Sequence, residues 1–545
     1  MFDLILRNGT VIDGTGRPGY KSDVGILGGR IAALGDLSGA ESRETIDVSS
    51  MAVCPGFIDM HSHSDLSILA HSKAESSISQ GITTEVVGNC GWSMAPVKAE
   101  TRESVLKRLL GGLVNREAFS SLEWNWHSFG EFLDALEKAG TGVNIVPQVG
   151  QSLIRAHVVG TEKRNATRGE IEAMKDLVRE SLEEGAWGLS TGRSYRPGGF
   201  APTEEIIALA KVVAKYGGIY ATHMKSEGDD LFSAVEEACE IAEKSGVKVE
   251  ISHHKAVGKK NFGKVHKSLE MIASARQRGL AISVDVYPYE FAQISSLIRL
   301  FPEEVWDHIQ KASGSGPKSS GDFPTQEEIQ EALKDPAVIR AIKSMPGLGP
   351  VLERVKNYLI TNAPSAPDLE GRILGEYAEE KGLDLADFLV DLLGKDGLGV
   401  HAAWPISIDD VYTVVSADFA MVGTDAFTLD RPIYPTPIHP RHYGTFPRVI
   451  GRFVRDKKLF SLEDAVKKCT YMPARILGIP YRGCVEVGFW ADLVVFDPTK
   501  LEDTATAKKP YDRSLGIEYV LVNGKIALEK GEVRPVFAGK VLRRQ

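Results

Sequence analysis

The middle of the chain alternates between short apolar runs and longer amphipathic stretches. The apolar runs have the length and β-branched content of buried strands: GITTEVVGN, NIVPQVGQ, GAWGLSTG, GGIYATHMK, KVEISHHK, AISVDVYPY and FAMVGTDAF. Between them lie charged stretches with apolar residues at helical spacing, such as TEEIIALAKVVAKYG and LFSAVEEACEIAEKSG. A strand followed by a helix, repeated this often, predicts a parallel sheet closed as a (β/α)8 TIM-like barrel.

The two ends of the chain resemble each other. Near the start, DLILRNGTVID is an apolar alternation interrupted by Asn-Gly, and YVLVNGKIALEKGE repeats that pattern near the end. Asn-Gly between apolar residues is a strong signal for a tight β-hairpin. We therefore predict an α/β protein in which both termini, residues 1–55 and 481–545, build a small β-sandwich domain beside a barrel domain of residues 56–480.

One region departs from the strand and helix alternation. Residues 291–399 include KASGSGPKSSGDFPT, which is rich in Gly, Ser and Pro. We predict an insertion between the seventh and eighth barrel strands that is mobile at its Ser/Gly-rich end. Two interpretations stay open, a solvated surface excursion and a lid over the functional site.

Charge and cysteine usage narrow the function classes. Across 545 residues the net charge is -9, and acidic and basic residues are mixed along the chain. There is no basic stripe, which argues against nucleic acid and anionic membranes as partners. The five cysteines are widely and irregularly spaced, a poor disulfide framework, and no apolar stretch has the length of a signal peptide or a spanning helix. We expect a cytoplasmic protein.

Polar residues with metal-binding side chains follow the predicted strands. In GFIDMHSHSD, His61 and His63 are two residues apart, so a strand would point both imidazoles to one side. Other candidates lie at the carboxyl ends of later predicted strands: His223, His253 or its neighbour His254, and Asp425. Because barrel active sites are built at that end, these side chains are expected to converge.

Cys90 joins this set. Taken alone, a cysteine in EVVGNCGWSM is best explained as core packing. However, it ends the second predicted strand, beside the strand of His61, and Gly88 and Gly91 would let the backbone turn its sulfur towards the same centre. Imidazole, thiolate and carboxylate together suit zinc.

Longer motifs reveal a family resemblance. GFIDMHSHSD, VEVGFWADLVVFD and the aspartate of the last strand resemble the amidohydrolase superfamily. GNCGWSMAP, STGRSYRPGGFAPTEE, THMKSEG, ISHHK and HPRHYGTFPR are similar to the N-acyl-D-amino-acid deacylases, or D-aminoacylases, and the likeness runs nearly end to end. It implies a zinc-dependent barrel enzyme that hydrolyses the amide bond of N-acyl-D-amino acids and releases a carboxylate and a free D-amino acid.

The resemblance also implies roles for individual residues. The positions that match the family's tightly bound zinc are Cys90, His223 and His253, and those that match a second, weaker metal site are His61, His63 and Asp425. On this basis His253 is preferred to His254. Asp425 would accept the proton of the attacking water and return it to the leaving amine.

An acylated amino acid is a small molecule with a free carboxylate, which needs a cation or hydrogen-bond donors. Lys255, close to His253, suits that task, with Tyr195 and Tyr287 as donors that match substrate-contacting positions of the family less firmly. Further candidates are Arg193, Arg441 and His442.

Three other functions are alternatives for a chain with these motifs. A cyclic-amide hydrolase of the dihydroorotase or hydantoinase type usually bridges its metals with a carboxylated lysine on the fourth strand, but GAWGLSTG contains no lysine. A dipeptidase that acts on a C-terminal D-residue remains an alternative substrate class. A non-catalytic homologue would be expected to have lost ligands, whereas all six candidates are present.

Overall fold

A computed structural model describes residues 1–98, 124–314, 324–430 and 438–545. Its centre is a ring of eight parallel strands: Phe57–Asp59, Ile82–Val87, Asn144–Pro147 continued by Val149–Gly150, Gly188–Gly192, Ile219–His223, Lys248–Ile251, Ile282–Val286 and Ala420–Val422. Each strand pairs with the next in chain order. The ring closes where Met60 N donates to Val422 O at 3.3 Å. This confirms the predicted (β/α)8 barrel.

The sequence explains why these segments form strands and helices. Every residue of Ile82–Val87 and of Gly188–Gly192 is buried, as expected where helices cover both faces of a parallel sheet. The helix Arg168–Glu183 begins with a capping box between Thr167 and Glu170 and turns Met174, Val178 and Leu182 inward.

Further helices lie between or after the barrel strands: Glu75–Ile78, Phe129–Ala139, Gln151–Val158, Thr203–Lys215, Leu231–Ser245, Lys264–Gln277, Ile408–Ser416, Arg441–Pro447, the π-helix Arg448–Asp456, Leu462–Cys469 and Tyr471–Leu477. Short 3₁₀ turns occur at Ser64–Leu66, Gly198–Phe200, Lys259–Asn261, Leu297–Leu300 and Gly397–Gly399. Within the described residues no helix combines the length and apolarity needed to cross a membrane.

Both termini contribute to a second, β-rich unit. Its strands are Phe2–Val11, Tyr20–Leu27, Arg30–Gly35, Ser42–Asp47 and Ala52–Pro55 from the first part of the chain, and Leu493–Phe496, Ile517–Val522, Lys525–Glu529 and Glu532–Val533 from the last. They form one sheet, joined where Ala52–Pro55 runs antiparallel to Leu493–Phe496. Side chains from distant strands, among them Ile31 and Leu521, share one hydrophobic cluster, so the sheet folds over itself as a sandwich does.

The two Asn-Gly pairs behave differently. Asn523 and Gly524, both with positive φ, form the two-residue turn of the predicted hairpin between Ile517–Val522 and Lys525–Glu529. The expected hairpin at the other pair is wrong: Asn8 and Gly9 lie inside the strand Phe2–Val11, where the register shifts as in a bulge. Asn8 is held there by the side chains of strands on both sides, since its backbone N donates to Asp23 (2.8 Å) and its amide to Asp47 (3.0 Å).

The segment after the seventh barrel strand has its own hydrophobic core. Its strands Ser295–Ser296, Leu359–Asn362 and His401–Ala403 form a small antiparallel sheet. Its helices are Glu303–Ala312, Gln326–Ala332, Pro336–Lys343, Leu348–Val355, Leu374–Glu380 and Leu385–Asp396. The insertion is thus a folded subdomain rather than a solvated loop, and its last strand, His401–Ala403, lies beyond the predicted end at residue 399. The Ser/Gly-rich end was predicted to be mobile. Most of it, residues 315–323, lies outside the described residues.

Candidate metal centre

The candidate ligands cluster at the carboxyl ends of the barrel strands. His223 is the last residue of its strand, whereas Cys90, His253 and Asp425 come two or three residues after theirs. His61 and His63 also lie beyond their strand, so their common direction does not come from strand alternation. It comes from pairing with the segment after the eighth strand: Asp425 N donates to the carbonyl of His61, and His63 N to that of Ala426, both at 2.7 Å.

The Cys90 sulfur lies among three imidazoles. Its distances are 3.4 Å to His61 Nε2, 3.4 Å to His253 Nε2 and 3.9 Å to His223 Nδ1. The ring nitrogens of His223 and His253 are 2.9 Å apart. Cys90 is 3 % exposed, so this is a closed, sulfur-containing donor set of the type that binds zinc.

Asp425 forms the other half of the centre. Its Oδ1 lies 3.2 Å from His63 Nε2 and 3.6 Å from His61 Nε2. Its Oδ2 lies 2.7 Å from an Nη of Arg441. His61 therefore faces both the thiol of Cys90 and the carboxylate of Asp425, and it connects the two halves.

Backbone strain accompanies three of these positions. Cys90 (φ 53°), His253 (φ 39°) and Asp425 (φ 51°) adopt left-handed conformations that side chains other than glycine rarely take. Such residues cost about 1–3 kcal/mol each and persist where surrounding structure enforces them, often at functional sites. Gly88 also has positive φ, and a Cβ there would lie 2.0 Å from the carbonyl oxygen of Gln148.

The electrostatics favour a cation at this position. Burial alone would raise the pKa of the Cys90 thiol, but the charges of His61 and His253 outweigh it and hold that pKa well below its usual value. Burial likewise opposes ionisation of Asp425, yet Arg441 and then His253 hold its pKa well below normal. A thiolate and a carboxylate thus lie close together, with protonated imidazoles as their counter-charges. A divalent metal ion, which binds neutral imidazoles, would replace those protons as the balancing charge.

Two acidic residues that the sequence analysis missed support the imidazoles from behind. Glu227 Oε1 lies 2.7 Å from His253 Nδ1, and Asp285 Oδ2 lies 3.2 Å from His61 Nδ1. Metal-binding histidines usually donate their second ring N–H to a carboxylate, which sets the tautomer. The signal for Asp285 was present in SVDVY, a carboxylate in the middle of a buried strand.

The candidate substrate-binding residues surround the cluster. Lys255 Nζ contacts Glu227 Oε1 at 2.5 Å and the carbonyl of His253 at 2.8 Å, so most of its donors are already used. The buried Tyr287 hydroxyl has no hydrogen-bond partner in the described part of the chain. The Tyr195 hydroxyl lies 3.4 Å from His223 Nδ1. The Tyr287 hydroxyl thus remains available to a substrate beside the centre.

The side chains of three other candidates contact groups outside the proposed ligand set. His254 turns its ring towards Ser268, with Nε2 2.8 Å from Oγ. Arg193 forms a buried ion pair with Glu237 at 2.9 Å. The ring of His442 bonds the carbonyl of His439 through Nδ1 at 2.8 Å. His442 Nε2 is buried and has no hydrogen-bond partner in the described part of the chain.

Comparisons with known proteins give a consistent result. The family model described as the amidohydrolase family matches residues 44–288 and 406–528. A D-aminoacylase of Alcaligenes xylosoxydans xylosoxydans is 37 % identical over 544 residues, which cover 100 % of this chain and 98 % of that protein. A solved D-aminoacylase, studied for its binuclear metal centre, is 36 % identical with a TM-score of 0.76 and full coverage of both chains. A solved N-acyl-D-glutamate deacylase of Bordetella bronchiseptica, complexed with zinc and a phosphonate that mimics the tetrahedral intermediate, is 31 % identical with a TM-score of 0.75 and full coverage of both chains.

Proposed function

The chain belongs to the amidohydrolase family, among the D-aminoacylases and N-acyl-D-amino-acid deacylases, and from this premise we propose that it hydrolyses the amide bond of N-acyl-D-amino acids. The products are a carboxylate and a free D-amino acid. The observation that carries the proposal is the convergence of Cys90, His223 and His253 beside the carboxylate of Asp425.

The donor set supports one tightly held zinc ion on Cys90, His223 and His253. A second, weaker metal would use His61, His63 and Asp425. Zinc is favoured because sulfur, nitrogen and oxygen donors are combined, and the solved Bordetella relative was complexed with zinc. When bound, the metal polarises the scissile carbonyl and lowers the pKa of water to roughly 7.

Asp425 is the proposed proton carrier. The Asp425 carboxylate is ionised, as a proton acceptor must be, and it can take the proton of the attacking water. A weakly basic carboxylate then gives the proton up readily to the leaving amine, which departs only when protonated. His63 and Arg441 hold the carboxylate from two sides, which limits its rotation between the two transfers. Proton transfer by a positioned group of this kind contributes about 10²- to 10⁴-fold to rate.

We propose that Lys255, Tyr287 and Arg441 bind the substrate carboxylate and that Tyr195 contributes less. The Tyr287 ring lies near both cations, with its centroid 5.2 Å from Lys255 Nζ and 4.8 Å from the Arg441 guanidinium carbon. Tyr287 Oη and Arg441 Nε have no hydrogen-bond partner in the described part of the chain. Glu227 pairs with Lys255, and Asp425 and Gln293 pair with Arg441, so we divide carboxylate binding between the two cations.

The alternative of cyclic-amide hydrolysis is less well supported. The fourth strand, Gly188–Gly192, offers no lysine that could be carboxylated to bridge two metals. Instead, the Cys90 thiolate supplies the anion between the imidazoles. A C-terminal D-residue of a dipeptide presents the same carboxylate, so dipeptides belong in the substrate panel.

We also propose two domains, residues 1–55 with 481–545 and residues 56–480, with the insertion bordering the substrate entrance. The insertion begins beside the carboxylate site, since Gln293 Oε1 accepts a hydrogen bond from Arg441 at 2.7 Å. This contact supports a role in closing over substrate more than a role as a distant surface element.

The decisive experiment is hydrolysis of N-acetyl-D- and N-acetyl-L-amino acids, with metal content measured on the same sample. The panel should include neutral and acidic side chains, dipeptides, a hydantoin and a dihydroorotate. We expect release of D-amino acids by protein that contains at least one zinc per chain. Hydrolysis of the cyclic amides alone, or no hydrolysis by fully metallated protein, would refute the proposal.

A further inference from the structure

Asp285 lies at the point where the two halves of the metal centre meet. It belongs to the seventh barrel strand, Ile282–Val286, and its side chain is completely buried. A carboxylate in such a place is costly unless its oxygens are bonded to donors. Both oxygens of Asp285 have a donor that belongs to a proposed metal ligand, and the buried Glu250 carboxyl on the sixth strand also bonds the Asp285 side chain.

The two bonds reach different ligands. Oδ2 lies 3.2 Å from Nδ1 of His61, whose Nε2 faces Cys90 and Asp425. Oδ1 accepts the backbone N–H of His253 at 2.9 Å. Because His253 has a left-handed backbone (φ 39°), this bond supports a strained residue that directs its ring towards Cys90.

The packing leaves little freedom for another arrangement. A Cβ on Gly423 would lie 2.6 Å from His61 Cβ and 2.9 Å from Asp285 Oδ1. Glycine at this position therefore lets the carboxylate on the seventh strand reach the imidazole of His61, beyond the first strand, across the end of the eighth strand.

We propose that Asp285 is a positioning residue that sets the geometry of both metal subsites at once, by fixing the His61 tautomer with one oxygen and the His253 backbone with the other. The inference rests on the proposed function, since it requires that His61 and His253 bind metal. It assigns Asp285 no contact with substrate.

An amide cannot replace this carboxylate. Asn has one acceptor, whereas His61 Nδ1–H and His253 N–H both require one. If its carbonyl faces His253, its NH₂ faces His61 Nδ1 and favours the tautomer with the proton on Nε2, the nitrogen needed for metal. If the Asn side-chain amide is flipped instead, the buried N–H of the strained His253 loses its acceptor, which costs about 1–3 kcal/mol. The first orientation is therefore favoured, and the His61 subsite should suffer first.

The test compares Asp285→Asn and Asp285→Ala with Ser283→Ala. Ser283 is a matched control, since it lies on the same strand two residues earlier and is buried, and its hydroxyl bonds only the carbonyl of Val249 in the described part of the chain. Zinc affinity is measured by competition with a chelating indicator. Cobalt is then substituted, because its thiolate charge-transfer band reports on the Cys90 subsite. Melting temperatures are measured after metal removal.

We expect Asp285→Asn to weaken the second zinc by at least about tenfold, the lower end of the range for such supporting residues. The first zinc, the thiolate–cobalt band and the metal-free melting temperature should match those of Ser283→Ala. Asp285→Ala should weaken both zinc ions, since both hydrogen bonds are lost.

Unchanged affinity for both zinc ions in Asp285→Asn would overturn the inference. Failure of both Asp285 variants to fold would also overturn it. The same holds if Asp285→Asn loses enough metal-free stability to account for its lower zinc affinity, because Asp285 would then act as a core residue. Wild-type protein that binds a single zinc would also overturn it while the proposed function stands. Wild-type protein that binds no metal would refute both.

Discussion

Replacing Cys90 by alanine should remove the tightly bound zinc and the activity together. The sulfur lies 3.4 Å from the Nε2 atoms of both His61 and His253. A unit charge pair at 3.4 Å and an effective dielectric constant of about 20 is worth about 5 kcal/mol. A cation bound by the thiolate itself would lie closer, so we expect zinc affinity to fall by at least about 10³-fold.

The assay is zinc content after equilibration with a zinc buffer, followed by hydrolysis of an N-acetyl-D-amino acid. A second readout is alkylation, since a metal-bound thiolate is shielded and should react only after zinc is removed. The matched control is Cys239→Ala on the helix Leu231–Ser245, which should keep both zinc and turnover. If Cys90→Ala protein held stoichiometric zinc and turned over normally, the thiol would be core packing and the reasoning would be refuted.

Three further predictions test other parts of the centre and the barrel. Asp425→Asn should lower turnover by at least about 10²-fold while the tight zinc stays bound, and near-normal turnover in metallated protein would exclude it as the proton carrier. Lys255→Met and Arg441→Met should each raise KM for free-carboxylate substrates at least about tenfold more than for the carboxamide analogues. The reason is that only a substrate carboxylate loses a hydrogen bond between two charged groups. Arg193→Met is the control, and equal losses on both substrate types would remove either residue from carboxylate binding. Deleting residues 539–545 should lower the melting temperature without changing zinc stoichiometry, since the backbone N–H groups of Gly539, Leu542 and Arg544 donate to barrel carbonyls at 2.8, 2.8 and 3.0 Å. An unchanged melting temperature would show that this segment adds no stability.

Local patterns along the chain were enough to predict the barrel and the position of its centre. Strands buried on both faces read as continuous apolar runs, so their ends could be located from the sequence. Since parallel strands end at the same edge of a barrel, residues such as Cys90, His223 and Asp425 could be expected to meet although they are far apart in the chain.

The same reasoning could not decide what surrounds these residues. Asn8-Gly9 and Asn523-Gly524 carry the same local signal, yet only the second forms a hairpin, because Asp23 and Asp47 hold Asn8 as a bulge inside a paired strand. The insertion looked like a loop or a lid in the sequence, but the helices and strands on either side of its Gly-rich stretch share a core of their own.

Charge pairing across the barrel was likewise decided only by the tertiary structure. Lys255 looked like a free cation in the sequence, but the fold places Glu227 against it. Asp285 was unremarked in its strand until the closed barrel brought His61 and His253 to its two oxygens. The apolar periodicity of a strand or helix, which indicates its buried face, depends on residues that are close together in the chain. It can therefore be read from the sequence. Which donor meets which acceptor depends on ring closure and on the packing of residues more than two hundred positions apart, and that information exists only in the folded chain.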